Sequence, residues 1–262
     1  MISLTKLQIV LYKILANSRF AAKSIVYLPT CHSTNDIALL MASQNTLGDG
    51  DVVITDEQTH GKGQRGTSWE SEPFKNLIFT LFIKPHFLDI KDQFFLTMAI
   101  SLGISDALQG LSIPAIKIKW PNDIYSGDKK IAGILIENNL VYKKTISTAV
   151  GIGLNVNQKE FNEDKAISMC ELAGNEFDKN EVFENIILSL EDRYQQLQNS
   201  EHRTLSNDYH GLLYLKDQKR LFVRNGMPFD GSITGVDSIG RLMINSGGQN
   251  IAFHNKEVQF MS

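Results

Sequence analysis

Apolar residues recur along the chain with two periods, and the switch from one to the other marks out its elements. Ile37, Ala38, Leu39, Leu40 and Met41 follow Ser33-Thr34-Asn35-Asp36, a helix start at which short side-chain oxygens satisfy the first free amide groups. Asp51 to Glu57 reads as a strand, and Asn76 to Lys84, rich in β-branched residues, Leu and Phe, as another. Gln93 to Leu108 has helical spacing and stops at Gly110, whereas Ile116 to Trp120 alternates and stops at Pro121. Lys130 to Glu137 and Thr145 to Asn155 read as extended segments with Asn138-Asn139 as the turn between them. These elements predict an α+β fold: a mixed, antiparallel-rich sheet with flanking helices.

Glu181 to Leu197 predicts a long amphipathic helix after Asn180, and Arg203 to Leu213 a second. Beyond Lys216 the texture is all β. Segments around Leu221, Ile233, Leu242, Ile251 and Val258, divided by Asn225-Gly226, Asp230-Gly231, Ile239-Gly240 and Gly247-Gly248, predict a small barrel. The boundary is therefore expected near residue 215, with residues 1–214 as the larger unit and 215–262 as the smaller.

A chain of 262 residues buries a sizeable core without disulfides or a structural metal. Cys31 and Cys170 form no CxxC, which suits a reducing compartment. A formal charge of -3 supplies no whole-protein field for nucleic acid. The apolar stretch Ile9 to Ala16 is interrupted by Lys13 and lacks a small-residue cleavage site, so a cytoplasmic location without membrane spans is expected.

Gly61-Lys62-Gly63-Gln64-Arg65-Gly66 matches GxGxxG literally, but a dinucleotide loop must open a helix, and Trp69, Glu70, Ser71 and Pro73 lead into a strand instead. Gly61 and Gly66 also have P-loop spacing, but Thr67 stands where that motif needs its lysine. Two readings remain. Either Lys62 and Arg65 lie in a glycine loop that brings backbone amides close to an anion such as phosphate, or they belong to a solvated basic loop. Trp69 either covers a nucleobase or apolar ligand or packs under the loop.

Lys119-Trp120-Pro121-Asn122-Asp123 ends a strand in a sharp exit. Asn122 is suited to reading a base edge, and Asp123 to orienting a lysine or helping to hold a metal, unless both simply form a turn. Lys130 opens the strand containing Gly133; it is either an edge guard or a charge that stabilises a transferred phosphate or acyl group. Glycines in Gly151-Ile152-Gly153-Leu154-Asn155 imply a bulge or a closely apposed ligand, with Asn155 a second candidate for base recognition. There is no GxSxG, no HExxH and no convincing Cys–His pair, so the inventory favours chemistry by positioning two bound substrates over a covalent enzyme intermediate.

In order along the chain, Ser33-Thr34-Asn35, Gln58, the Gly61 to Trp69 loop, KWPND at 119 to 123, KKIAGILIE at 129 to 137 and GIGLNVN at 151 to 157 resemble the biotin protein ligases. The resemblance implies a class II aminoacyl-tRNA synthetase-like catalytic domain followed by an SH3-like barrel. It implies a reaction in which biotin and ATP, with Mg2+, give biotinyl-5'-AMP and pyrophosphate, after which a lysine of a biotin carboxyl carrier protein, in acetyl-CoA carboxylase or a related carboxylase, attacks the mixed anhydride. By position it makes Ser33, Thr34, Asn35, Gln58, Lys62, Gly63, Gln64, Lys130 and Gly133 biotin contacts. Arg65, Trp69, Asn122 and Asn155 fall on the ATP and adenylate side, and Lys130, Lys62 and Arg65 are the catalytic cations. No metal ligand is fixed, with Asp123 the candidate.

Lys62, Gln64 and Thr67 occupy loop positions where arginine is frequent in that family. A less cation-dependent grip and faster release of the adenylate are therefore expected. Only 32 residues precede Ser33, and Ile2 to Leu15 would form at most one helix, so operator DNA binding by an amino-terminal helix-turn-helix is not expected. An exposed sheet edge is compatible with a homodimer or with carrier docking. The rival readings are a lipoate ligase or octanoyltransferase of related fold and a noncatalytic ligand-sensing module.

Overall fold

A computed structural model describes residues 18–19, 21–141, 144–162 and 164–261; the Ile2 to Leu15 and Ile9 to Ala16 segments lie outside them. The chain runs through β1 (Ile25–Cys31), α1 (Thr34–Ser43), β2 (Val52–Gln58), β3 (Leu77–Ile83), α2 (Gln93–Gly110), β4 (Ile116–Lys119), β5 (Asp123–Ser126), β6 (Lys129–Val141), β7 (Lys144–Leu154) and α3 (Met169–Ala173). It continues through α4 (Lys179–Gln198), α5 (His202–Leu212), β8 (Lys219–Arg224), β9 (Met227–Val236), β10 (Leu242–Ser246), β11 (Gln249–Phe253) and β12 (Gln259–Phe260).

The first seven strands form one sheet in the order β1-β2-β3-β7-β6-β5-β4. Only β1 and β2 are parallel, every other pair being antiparallel. All seven residues of β3 are buried because the strand is covered on both faces. Phe79 meets Phe183 of α4 edge-on, with 5.2 Å between ring centroids, while Phe82 packs with Ala38 of α1 and Val53 of β2. α2 lies against α4 at Gly103, where a Cβ would come within 2.9 Å of the Leu190 Cα. These contacts leave one face of the sheet's centre to the helices and the other open beside α1.

Four local expectations change. Asn138-Asn139 is not a turn: β6 continues through it, Asn138 opposite Thr148 and Asn139 opposite Ser147. The Thr148 hydroxyl donates to the Asn138 side-chain oxygen at 2.7 Å, so cross-strand pairing outweighs local turn preference. Asp230-Gly231 also lies inside a strand, β9. The glycine is needed there for close packing, since a Cβ would sit 2.5 Å from the Ile244 Cγ2. Ser33 occupies the N-cap of α1 but makes no capping bond through its side chain; the Thr34 amide donates instead to the Gln58 Oε1 at 2.8 Å. The long helix starts earlier than Glu181, at Lys179, because the Asp178 side chain caps it by accepting from the Asn180 amide.

β8 to β12 form a second, wholly antiparallel sheet in the order β11-β10-β9-β8-β12, consistent with an SH3-like barrel. It is joined to the turn after β4 and to α5 by hydrogen bonds. The Trp120 indole donates to the Gly240 carbonyl at 2.9 Å, and the Val236 amide donates to the His210 Nε2 at 2.8 Å.

Candidate active site

Side-chain alternation across the β4–β5–β6 ladder decides what the open face presents. Lys119 stands directly opposite Asp123, and Tyr125 opposite Lys130, so all four side chains share one face. Ile118, Ile124, Ile131 and Ala132 are fully buried. The pairing slips by one residue between Ile124 and Tyr125, a bulge that turns Lys130 onto the same face as Gly133.

That face floors a cleft of about 1140 Å³ lined by Ser33, Thr34, Asn35, Gln58, Lys62, Gly63, Gln64, Trp69, Asn122, Asp123, Lys130, Gly133 and Asn155. Every sequence-derived site residue therefore faces one cavity except Arg65. Its backbone lies in a 3-10 turn over Gln64–Gly66, and its side chain is outside the described atoms.

The glycines of the floor explain how the walls close. Gly133 and Gly153 stand opposite one another, as do Leu135 and Gly151, in a stretch of the β6–β7 ladder whose register shifts only farther along, between Asn139 and Leu140, so none of these glycines marks a bulge. What approaches them is the protein itself. A Cβ on Gly153 would lie 2.4 Å from the Trp69 Cε2, and one on Gly151 2.4 Å from the Asn35 Oδ1. Trp69 thus lies flat across the floor, held by its backbone bond to Gly61 at 2.9 Å. Its indole Nε1 is buried with no hydrogen-bond partner among the described residues, a cost that a ligand acceptor would remove.

At one end, the hydroxyl of Thr80 donates to the Asn35 Oδ1 at 2.6 Å, and the Asn35 amide donates to the Glu137 carboxylate at 2.7 Å. Gln58 accepts from the Thr34 amide, which orients its own amide group along the cleft. These bonds fix a polar end wall beside apolar Ile78 and Ile152, which also line the cavity. At the other end, the Gln64 amide donates to the Asn122 Oδ1 at 3.0 Å while the Asn122 amide donates to the Ile134 carbonyl at 2.6 Å. Asn155 donates to the Ile167 carbonyl at 3.1 Å.

Four lysines line the cavity, Lys62, Lys119, Lys130 and Lys256, and the first three sit in different electrostatic settings. The Lys130 Nζ lies 2.8 Å from the Asp123 Oδ1 and 5.6 Å from the centre of the Trp69 ring. The Lys62 Nζ reaches Asp36 at 2.5 Å, and that hydrogen bond holds its pKa above the ordinary lysine value. Lys119 sits among rings: its Nζ donates to the Tyr125 hydroxyl at 3.1 Å and lies 4.9 Å from the Tyr125 ring and 5.3 Å from that of Phe260. Burial pulls its pKa down, against the opposing field of Asp123.

Among the described residues no three His, Cys, Asp or Glu side chains cluster as a metal cage, and the Asp123 Oδ1 is already taken by Lys130. Asp123 thus enters an ion pair here rather than a cluster of metal donors.

Sequence reasoning missed Lys119 and the contribution of the second sheet. Asn255, Lys256, Val258, Gln259 and Phe260 line the same cleft, and the Asn255 amide donates to the Gln64 Oε1 at 2.8 Å. Lys119 was visible as the first residue of KWPND. No local spacing announces residues 255–260, which arrive by tertiary packing.

A model of the Biotin/lipoate A/B protein ligase family matches residues 27–157. The bifunctional ligase/repressor BirA of Bacillus subtilis is 28% identical over 228 residues, covering 84% of this chain and 69% of that protein. The biotin--[acetyl-CoA-carboxylase] ligase of Mycobacterium tuberculosis is 28% identical over 225 residues, covering 84% and 82%. Among solved structures, the biotin protein ligase from Aquifex aeolicus in complex with biotin and ATP superposes with a TM-score of 0.77 at 23% identity, covering 91% of this chain and 100% of that one. The matched segment carries the cleft's end wall, its glycine loop and its lysine-bearing strands, and it spans half of the sequence: the chain belongs to the biotin/lipoate A/B protein ligase family.

Proposed function

We propose that this protein is an ATP-dependent biotin protein ligase, which joins biotin to AMP with release of pyrophosphate and then passes the biotinyl group to a lysine of a biotin carboxyl carrier protein. The observation that carries the reading is the Lys130 ammonium, held by Asp123 on the cleft floor beside Trp69. It shares the cleft with Thr34, Asn35 and Gln58 of the polar wall and with Gln64 and Asn122 of the loop side. That wall and its apolar flank suit a ureido ring with an aliphatic tail, whose carboxylate then points towards Lys130.

In the first step, a biotin carboxylate oxygen bonds to the α-phosphorus of Mg·ATP and the bond from that phosphorus to the bridging oxygen breaks. Lys130 neutralises the two anions that must meet and stabilises the charge on the α-phosphoryl oxygens. In the second step, the neutral carrier amine attacks the acyl carbon, the bond from that carbon to the AMP oxygen breaks with its electron pair staying on AMP, and the surplus amine proton passes to solvent. Trp69 over the floor and the Gln64 loop restrict the access of water to the anhydride.

The test is incubation with Mg·ATP, labelled biotin or labelled lipoate, and a carrier domain, with Lys130→Ala as control. Biotin-dependent pyrophosphate release and carrier labelling, both lost in the control, support the reading. Labelling by lipoate alone assigns the related lipoate chemistry, and ligand binding without turnover assigns a sensing role.

A further inference from the structure

Lys119 differs from Lys130 and Lys62, which line the same cleft, in having no carboxylate to itself. Asp123 lies within ion-pair distance of Lys130, and Asp36 of Lys62. Lys119 makes no ion pair among the described residues and is held by neutral groups, the Tyr125 hydroxyl and the faces of Tyr125 and Phe260. Partial burial of an ammonium among rings costs solvation that cation–π contact offsets only in part. The lowered pKa records that cost. Yet Lys119 points into the cavity from the cleft-facing side of β4. Lys119, Asp123 and Lys130 together carry a net charge of +1, and Glu70, Glu72 and Glu160, which also line the cleft, make no ion pair with either lysine among the described residues, so the floor has an ammonium ready for further negative charge.

The proposed adenylation supplies that charge. Lys130 is committed to the place where carboxylate and α-phosphate meet, while the β- and γ-phosphates need a second cation and become the leaving group. We propose that Lys119 binds the β- and γ-phosphates of ATP and carries the departing pyrophosphate, acting in the first half-reaction alone. The carboxylate oxygen bonds to the α-phosphorus, the bond to the bridging oxygen breaks, and its electron pair stays on that oxygen. No proton moves, and the Lys119 ammonium is the counter-charge for the anion that forms. The Tyr125 hydroxyl and the Phe260 ring keep the lysine from folding away, so its remaining N–H groups face the cleft. This inference rests on the ligase reading, but it fails separately from it.

The experiment divides the two half-reactions. Lys119→Met fits between the two rings without charge, and Lys119→Gln keeps a donor for Tyr125 should the methionine variant fail to fold. Biotin-dependent pyrophosphate release from Mg·ATP is expected to fall roughly 10²-fold, with a raised KM for ATP and partial rescue in Lys119→Arg. Transfer from pre-made biotinyl-5'-AMP to the carrier domain is expected to stay within about twofold of the parent, because no pyrophosphate takes part in it. Equal loss in both half-reactions marks a structural role and overturns the proposal, as does undiminished pyrophosphate release. If the parent itself shows no biotin-dependent release, the ligase reading fails first.

Discussion

Tyr125 stands opposite Lys130, although its neighbour Ile124 stands opposite Ala132, so β6 uses one more residue than β5 over the same step. The extra residue is Ile131, which goes fully into the core. In a regular ladder Lys130 would share the face of Ala132 and be buried under the sheet. The bulge instead delivers an ammonium to the cleft between two apolar neighbours. Lys130→Ala should therefore lower biotin-dependent pyrophosphate release by roughly 10²- to 10³-fold while the urea unfolding midpoint hardly moves, since the side chain adds nothing to the core. A loss below tenfold in steady-state assays would contradict its central place.

Gly153→Ala tests the fit of Trp69 to the floor. The added methyl would lie 2.4 Å from the indole, on a strand that is paired on both sides and so yields little. The ring is expected to lift, at a cost of about 1–3 kcal/mol, and the KM for ATP to rise more than the KM for biotin. Trp69 emission should shift to longer wavelength; an unchanged spectrum with unchanged KM values would refute the packing argument.

Gln64 uses both ends of its amide, giving to Asn122 and taking from Asn255. Arginine has donors only, so Gln64→Arg gives up the Asn255 bond and gains charge towards a phosphate. Release of biotinyl-5'-AMP should slow by about tenfold, the worth of one charge-assisted hydrogen bond. Chase of labelled intermediate from the variant and the parent decides this, and equal or faster release from the variant argues that the tether to the second sheet outweighs the added charge.

Tyr27 donates to Asp56, and this hydrogen bond, with burial and the carboxylate's field, pushes its pKa up to about 12. The unfolded value is roughly 10. The protonated phenol therefore contributes its stability in full below about pH 10 and loses it as pH rises through 12. Tyr27→Phe should be less stable than the parent at pH 8, and the gap in urea midpoint should close between pH 10 and 12. A gap constant with pH would mean that the bond to Asp56 is not what Tyr27 provides.

Much of the cleft is legible in the sequence because its parts are local: Ser33 to Asn35 at a helix start, glycines around Lys62, KWPND at a hairpin, and Lys130 opening a strand. What escapes is long-range. β1 passes unnoticed because Pro29 interrupts it, tolerated only because β1 is the edge of its sheet. β5, four residues long, hides within what reads as a turn, and the bulge at Tyr125 emerges only once β5 and β6 are aligned. Gly151 and Gly153 announce a close approach, but sequence does not say that Asn35 and Trp69 make it. The wall formed by residues 255–260 depends on how the two sheets meet.

That wall gives the protein a built-in order of events during its own synthesis. Asn255 and Phe260, which grip Gln64 and flank Lys119, belong with Lys256, Val258 and Gln259 to the last part of the cleft to leave the ribosome. A nascent chain that stops short of residue 255 lacks that side of the cleft altogether. Closure of the cleft on that side is thus acquired late in translation, after the floor and the loop have been made.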